Sequence, residues 1–192
     1  MPIMWYGEAD LGEQLRTMTV TGTSPDGAVR ATVTGENRLD LSFQPRRFEW
    51  YDEHGLAQQL SALGTTTWVA WTRQRQEILR MSLGQSREEA EQGRDEFRDF
   101  RDQEFDQRVR SLLCAGASTD GKVHIVLDGV TRWRVEIAEG SLRRHTAGSF
   151  TAETVSAFDA LIRDRAMKMS LLKADHFDIG VPRRWLERAR AR

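Results

Sequence analysis

Apolar and polar residues alternate in nearly the same way at two distant places in the chain. Val29, Ala31 and Val33 are separated by polar side chains, and so are Leu39, Leu41 and Phe43. Farther on, Val123, Ile125 and Leu127, then Trp133, Val135 and Ile137, recur at the same spacings. A period of two predicts strands with one buried face. Ser24-Pro25-Asp26-Gly27 and Ser118-Thr119-Asp120-Gly121 introduce the two sets. Their glycines suit the positive φ of a tight turn, and Gly35 and Gly129 mark a second turn in each. The stretches align without a gap at a constant offset of 94 residues. Under that offset Gly22, Ser24, Asp26, Gly27, Val29, Gly35 and Arg38 match Gly116, Ser118, Asp120, Gly121, Val123, Gly129 and Arg132. So long a period does not fit a solenoid repeat and predicts a duplicated unit, each copy a three-stranded antiparallel meander.

A meander with one apolar face needs a cover, and the periodicity changes to supply one. Leu56, Leu60, Leu63, Thr67, Trp71 and Ile78 fall at helical spacing after the first meander, as Val155, Phe158, Ile162, Met169 and Leu172 do after the second. Thr151 is a candidate N-cap for the second of these helices, with Glu153 suited to its positive end and an incomplete capping box because Thr154 stands three residues on. Residues 86–111 predict a long, partly exposed helix: Ser86 and Glu89 frame a capping box, and Phe97, Phe100, Phe105, Val109 and Leu112 make a narrow stripe amid dense charge. The first copy has a short counterpart at about residues 8–16. The predicted fold class is α+β, with a first helix–meander–helix unit over 1–85, a second over 86–175 and a tail over 176–192. Two arrangements remain open, since sheets joined edge to edge and helices exchanged between units bury the same positions.

A helix, a meander opening on Ser-x-Asp-Gly and a long closing helix resemble the YbaB/EbfC family of bacterial nucleoid-associated proteins, over residues 18–83 and 86–173. The resemblance implies dimers that pack sheets and helices together, double-stranded DNA as a sequence-tolerant partner, and a cytoplasmic, nucleoid-associated location. A related actinobacterial branch accompanies type VII secretion systems, which implies the alternative of a protein-binding accessory factor without nucleic-acid binding. This chain departs from the family in carrying two copies. The departure implies that one molecule forms the dimer-like arrangement by itself, an intramolecular pseudo-dimer whose halves are free to differ.

Composition narrows the chemistry. No apolar run is long enough to cross a bilayer, and the N-terminus lacks a basic region followed by an apolar stretch, so a cytoplasmic protein with no membrane partner is expected. The lone Cys114 cannot form an intramolecular disulfide and is expected to be a small buried hydrophobe. His54, His124, His145 and His176 are scattered, and no P-loop, nucleophile elbow or dinucleotide-binding glycine pattern occurs, so no enzyme, metal or cofactor is expected. Trp68, Trp71 and Trp133 fall on core positions, whereas Trp5, Tyr6, Trp50 and Tyr51 are candidate surface anchors. Charge is uneven: residues 1–85, 86–111 and 112–192 carry net −2, −3 and +4. Two arginine clusters are the candidate DNA contacts, Arg143 and Arg144 after the sixth strand, and Arg183, Arg184, Arg188, Arg190 and Arg192 in the tail. Such clusters neutralise phosphates, or equally favour the negative pole of a helix end. The mixed-charge helix at 86–111 is the candidate surface for a protein partner or for self-association.

Overall fold

Asp26-Gly27 and Asp120-Gly121 each close a hairpin, and both glycines take positive φ (75° and 69°). Around these turns the computed structural model, which describes residues 7–84, 86 and 100–177, forms two antiparallel meanders. The first sheet has the order β1 (Thr19–Thr23), β2 (Val29–Thr34), β3 (Leu39–Phe43), and the second β4 (Leu113–Ala117), β5 (Val123–Asp128), β6 (Arg132–Ile137). Pairing keeps one register in both: Gly22 opposes Ala31 as Gly116 opposes Ile125, and Ala31 opposes Leu41 as Ile125 opposes Val135. The second turns differ. Gly129 has φ 66°, whereas in the first unit Asn37 takes the left-handed conformation (φ 60°). Gly35 is required there for another reason, since a Cβ on it would lie 1.7 Å from the Leu15 carbonyl oxygen.

Helix α1 (Gly7–Thr17) precedes the first sheet, and α2 (Glu53–Ser82) follows it after a 3-10 turn at Phe48–Trp50. Helix α3 (Phe100–Arg110) precedes the second sheet, and α4 (Ala147–His176) follows a 3-10 turn at Leu142–Arg144. Asp52 caps α2 by accepting the Gly55 N–H at 2.6 Å. The predicted cap of α4 is corrected: Thr151 lies inside the helix, and Thr146 caps it in a reciprocal box with Ser149. A serine hydroxyl there performs what Glu or Gln usually does. Of the predicted stripe of α4, Phe158 and Leu172 are buried as expected, whereas Val155, Ile162 and Met169 are half-buried and the buried face shifts to include Phe150, Thr154, Ala157 and Leu161. Gly116 accounts for this, because its missing side chain lets the Ala157 and Leu161 backbone come within about 2 Å of where a Cβ would stand. Of the helix predicted over 86–111, the capping residue Glu89 and Phe97 lie outside the described residues. Phe105 packs its ring 5.5 Å from His176 and 5.3 Å from Phe177.

The two sheets do not join by their edges. Instead α2 covers β1 and β2 and extends over β6, while α4 covers β4 and β5 and extends over β3. One hydrophobic cluster therefore runs through both units, from Val20, Val29 and Leu41 to Ile125, Leu127 and Val135. The crossings are complementary in size. Where α2 meets β6, Gly64 faces Trp133, a Cβ on the glycine falling 3.2 Å from the indole. At the positions 94 residues away the sizes are exchanged, with Phe158 on the helix and Leu39 on the strand. Trp133 stacks on Phe158 with ring centroids 5.9 Å apart, joining the two crossings.

Candidate functional site

The serine of each Ser-x-Asp-Gly turn is buried, so its hydroxyl must be satisfied internally. Ser24 Oγ accepts the Val29 N–H (2.9 Å) and donates to Asp26 Oδ1 (2.6 Å); Ser118 Oγ accepts from Val123 (2.9 Å) and donates to Asp120 (2.6 Å). Each aspartate is then clamped from the loop after the third strand. Tyr51 donates its hydroxyl to Asp26, and His145 Nε2 lies 3.1 Å from Asp120 Oδ2. Tyr51 and His145 are 94 residues apart, as are Gln59 and Glu153, which accept the N–H of Asp26 and Asp120. The bond from Ser118, with help from the Lys122 N–H and His145, brings the Asp120 carboxyl down to about 2. Burial pushes Asp26 up, but its bonds from Ser24, Tyr51 and the Ala28 N–H outweigh this and leave it below the ordinary value. Burial and the facing Asp26 push Tyr51 well above its ordinary value of 10.

Asp120, His145 and Ser149 are linked in sequence, with His145 Nδ1 3.2 Å from Ser149 Oγ, and these are the residue types of a hydrolytic triad. Their partners argue otherwise. Ser149 Oγ accepts the Thr146 N–H in the capping box, and none of the three lines a described cavity. The first unit builds the same clamp with tyrosine and has Gly55 at the serine position. We read both as turn locks. Between the sheets lies an apolar cavity of about 50 Å³ lined by both units, including Leu63, Trp68, Ile125 and Phe158. It is far below the several hundred Å³ of small-molecule sites. Cys114 is fully buried beneath α4, and burial raises its thiol despite the neighbouring Arg165. That is an inert environment for a cysteine.

Of the candidate DNA contacts, Arg143 and Arg144 close the second 3-10 turn and are exposed; the tail arginines Arg183, Arg184, Arg188, Arg190 and Arg192 lie outside the described residues. The corresponding loop of the first unit carries Arg46 and Arg47, which the sequence reading passed over although "RRF" and "RRH" stand in equivalent loops. Arg46 holds a left-handed conformation (φ 62°) where the second unit has Gly140 (φ 74°). The Arg47 guanidinium lies 5.0 Å from the ring centre of Trp50, which is 75% exposed. None of these four arginines has an ion-pair partner among the described residues.

The two loops converge. Phe48 of the first 3-10 turn packs 5.5 Å from Phe150 at the start of α4, and the Leu142 N–H of the second donates to Glu53 at the start of α2 (3.2 Å). Acidic groups share the region, with Asp52, Glu53, Glu136 and Glu139 lining a groove where α2 meets the end of β6. Of the sequence-predicted anchors, Trp50 is exposed with Arg47 over its ring, Tyr51 is held in its clamp, and Trp5 and Tyr6 lie outside the described residues. Trp68, Trp71 and Trp133 are buried as the spacing predicts. Fold and site together define an α+β protein with two helix-covered three-stranded antiparallel sheets, and no described helix is long and apolar enough to cross a membrane. No known protein family, curated protein or solved structure matches the chain.

Proposed function

We propose that the chain is a sequence-tolerant DNA-binding protein of the YbaB/EbfC type, its two units making within one molecule the paired arrangement that the family resemblance implies for two chains. The observation that carries this reading is that the two converging loops each carry a pair of exposed arginines, Arg46 and Arg47 on one and Arg143 and Arg144 on the other, none with an ion-pair partner among the described residues, with the exposed Trp50 beside Arg47. Arginines without protein carboxylate partners contact phosphates and release counterions without reading sequence. An exposed indole beside them offers a stacking surface for an unpaired base. The acidic groove beside them confines the contact to the arginine loops rather than the whole end of the molecule. The tail arginines, named in the sequence reading, extend the same electrostatic role.

Fluorescence anisotropy of a labelled random duplex across a salt series tests this. Saturable, steeply salt-dependent binding is expected, and replacing Arg143 and Arg144 by Ala lowers the logarithmic salt slope by about 2. No binding at low salt would end this reading in favour of the protein-binding accessory factor, which the near-neutral formal charge of −1 favours.

A further inference from the structure

A strand at the edge of a sheet exposes a row of unpaired N–H and C=O groups, and proteins cover or charge such edges. The second sheet is sealed on both sides. On β6 the Trp133 N–H donates to Thr65 Oγ1 (3.3 Å) and the Val135 N–H to Ser61 Oγ (2.9 Å), both from α2. On β4 the Ala115 N–H donates to Asp164 Oδ2 (2.9 Å), and Lys168 Nζ donates to the Leu113 carbonyl (2.8 Å), both from α4. The first sheet has no such covers among the described residues. At the positions equivalent to Asp164 and Lys168, α2 carries Ala70 and Gln74, both exposed, the first with no polar side-chain atom and the second with no side-chain hydrogen bond among the described residues.

The two open edges are not alike. Strand β3 carries Asp40, with Arg38 and Glu36 beside it, so charge protects it in part. Strand β1 reads Thr-Val-Thr-Gly-Thr, with no charge from Thr17 to Pro25, no bulge, and Ala70 rather than an acid at the helix position equivalent to Asp164. Because Ser24 N–H and Gly35 N–H close the ladder to β2 at its two ends, the outward backbone groups of β1 belong to Thr19, Thr21 and Thr23.

We propose that β1 pairs with β1 of a second copy of this chain, antiparallel and about a two-fold axis at Thr21. The spacing is self-complementary: Thr21 opposes its own mate and Thr19 opposes Thr23. Every outward N–H and C=O of the three threonines is then bonded in both copies. On the solvent face the pairs are threonine on threonine, a favourable cross-strand combination, and on the helix face Val20 meets Gly22. The lack of charge on β1 is what a strand facing its own copy requires, since any charge at the axis would meet its like. A heterologous strand would instead be selected by charge or by side-chain pockets, and this edge offers neither.

Light scattering and sedimentation of the full chain over a wide concentration series provide the first test, with a reversible dimer expected. Ala70→Asp with Gln74→Lys transplants the α4 cover onto α2 at two exposed positions, leaves the core untouched, and is expected to abolish the dimer with unchanged circular dichroism and melting temperature. Thr21→Pro is expected to do the same, because the lost N–H faces outward and takes no part in the sheet's own ladder. Pyrene attached to Thr21→Cys, the native Cys114 being buried, is expected to show excimer emission that disappears with Ala70→Asp/Gln74→Lys. A wild-type chain that stays monomeric throughout overturns the proposal. So does a dimer that survives both sets of substitutions, or one that gives no excimer.

Discussion

The two units share a fold and a register, yet the second is finished where the first is left open. Both meanders are held by the same Ser-x-Asp-Gly lock, and both are covered by a thirty-residue helix. In the second, helix side chains bond to outward groups of both outer strands; in the first, no such bond reaches either outer strand among the described residues. At the crossings bulk is exchanged, glycine and tryptophan on one side against phenylalanine and leucine on the other. Two identical chains could not do this, because each crossing would have to use the same residues. Joining the copies in one chain lets one crossing specialise for packing while the other keeps an exposed edge.

The comparison breaks most sharply at a matched pair of glycines. A Cβ on Gly116 would stand 2.2 Å from the Ala157 carbonyl oxygen and 2.3 Å from the Leu161 nitrogen, both main-chain atoms of α4. A Cβ on Gly22 would stand 2.0 Å from Thr67 Oγ1, the end of a side chain. Gly116→Ala is expected to lose about 3 kcal/mol or more in urea unfolding, because the helix itself must move. Gly22→Ala is expected to cost less and to be partly rescued by Thr67→Ala, which removes the colliding atom. Equal losses for the two, with no rescue, would contradict the difference in how the helices sit.

The sealed edges come next in size. Ser61 and Thr65 each donate to their own helix backbone and accept a strand N–H from β6. Ser61→Ala leaves the Val135 N–H without its partner and is expected to cost about 1–2 kcal/mol in denaturant unfolding. Valine already stands at the equivalent position 155, where no strand bond is made, so Val155→Ala should show only a small packing loss. A Ser61→Ala chain as stable as wild type would mean that the seal contributes nothing.

Much of this was legible in the sequence. Alternation placed the second and third strand of each meander, and the 94-residue offset showed the duplication, because the first turn of each copy depends on an Asp-Gly dipeptide that stands in plain view in the sequence. Burial of Trp68, Trp71 and Trp133 followed from spacing. The cap of α4 was missed because Ser149 stands in for the usual Glu or Gln. Its buried face was displaced because Gly116, a strand residue far away in sequence, decides which helical residues come closest. How the units pack was not legible, since both arrangements bury the same apolar residues; the polar seals at Ser61, Thr65 and Asp164 distinguish them, and in the sequence they look like ordinary surface residues. Of the candidate site, Arg143 and Arg144 were found by composition, whereas Arg46 and Arg47 needed the convergence of two loops to become relevant.

The turn locks differ in pH response, and the sign can be worked out for each. Asp120, held at about 2 against an ordinary 3.8, contributes stability above pH 3.8 that is lost as pH falls toward 2. Asp26 is lowered as well, so acid weakens both locks. Tyr51 is raised, so its contribution is present below pH 10 and is lost as pH rises through its folded value, in the first unit alone. Melting temperature followed from neutral to pH 11 should fall in wild type and fall less in Tyr51→Phe, while His145→Gln leaves the alkaline arm unchanged. An alkaline loss that Tyr51→Phe does not reduce would remove Tyr51 as its source.

The smallest expected effect lies at Arg46. A non-glycine residue at φ 62° carries a backbone cost that Gly140, at φ 74° in the second unit, does not. Arg46→Gly is therefore expected to raise stability by about 0.5 kcal/mol, the relief of strain exceeding the added freedom of the unfolded chain. If the arginine is kept for phosphate contact, the same change should weaken duplex binding as stability rises, and the two readouts move in opposite directions. Stability that rises with binding unchanged would remove Arg46 from the phosphate contact, leaving it to the other arginines, and leave the strain at Arg46 without a functional counterpart.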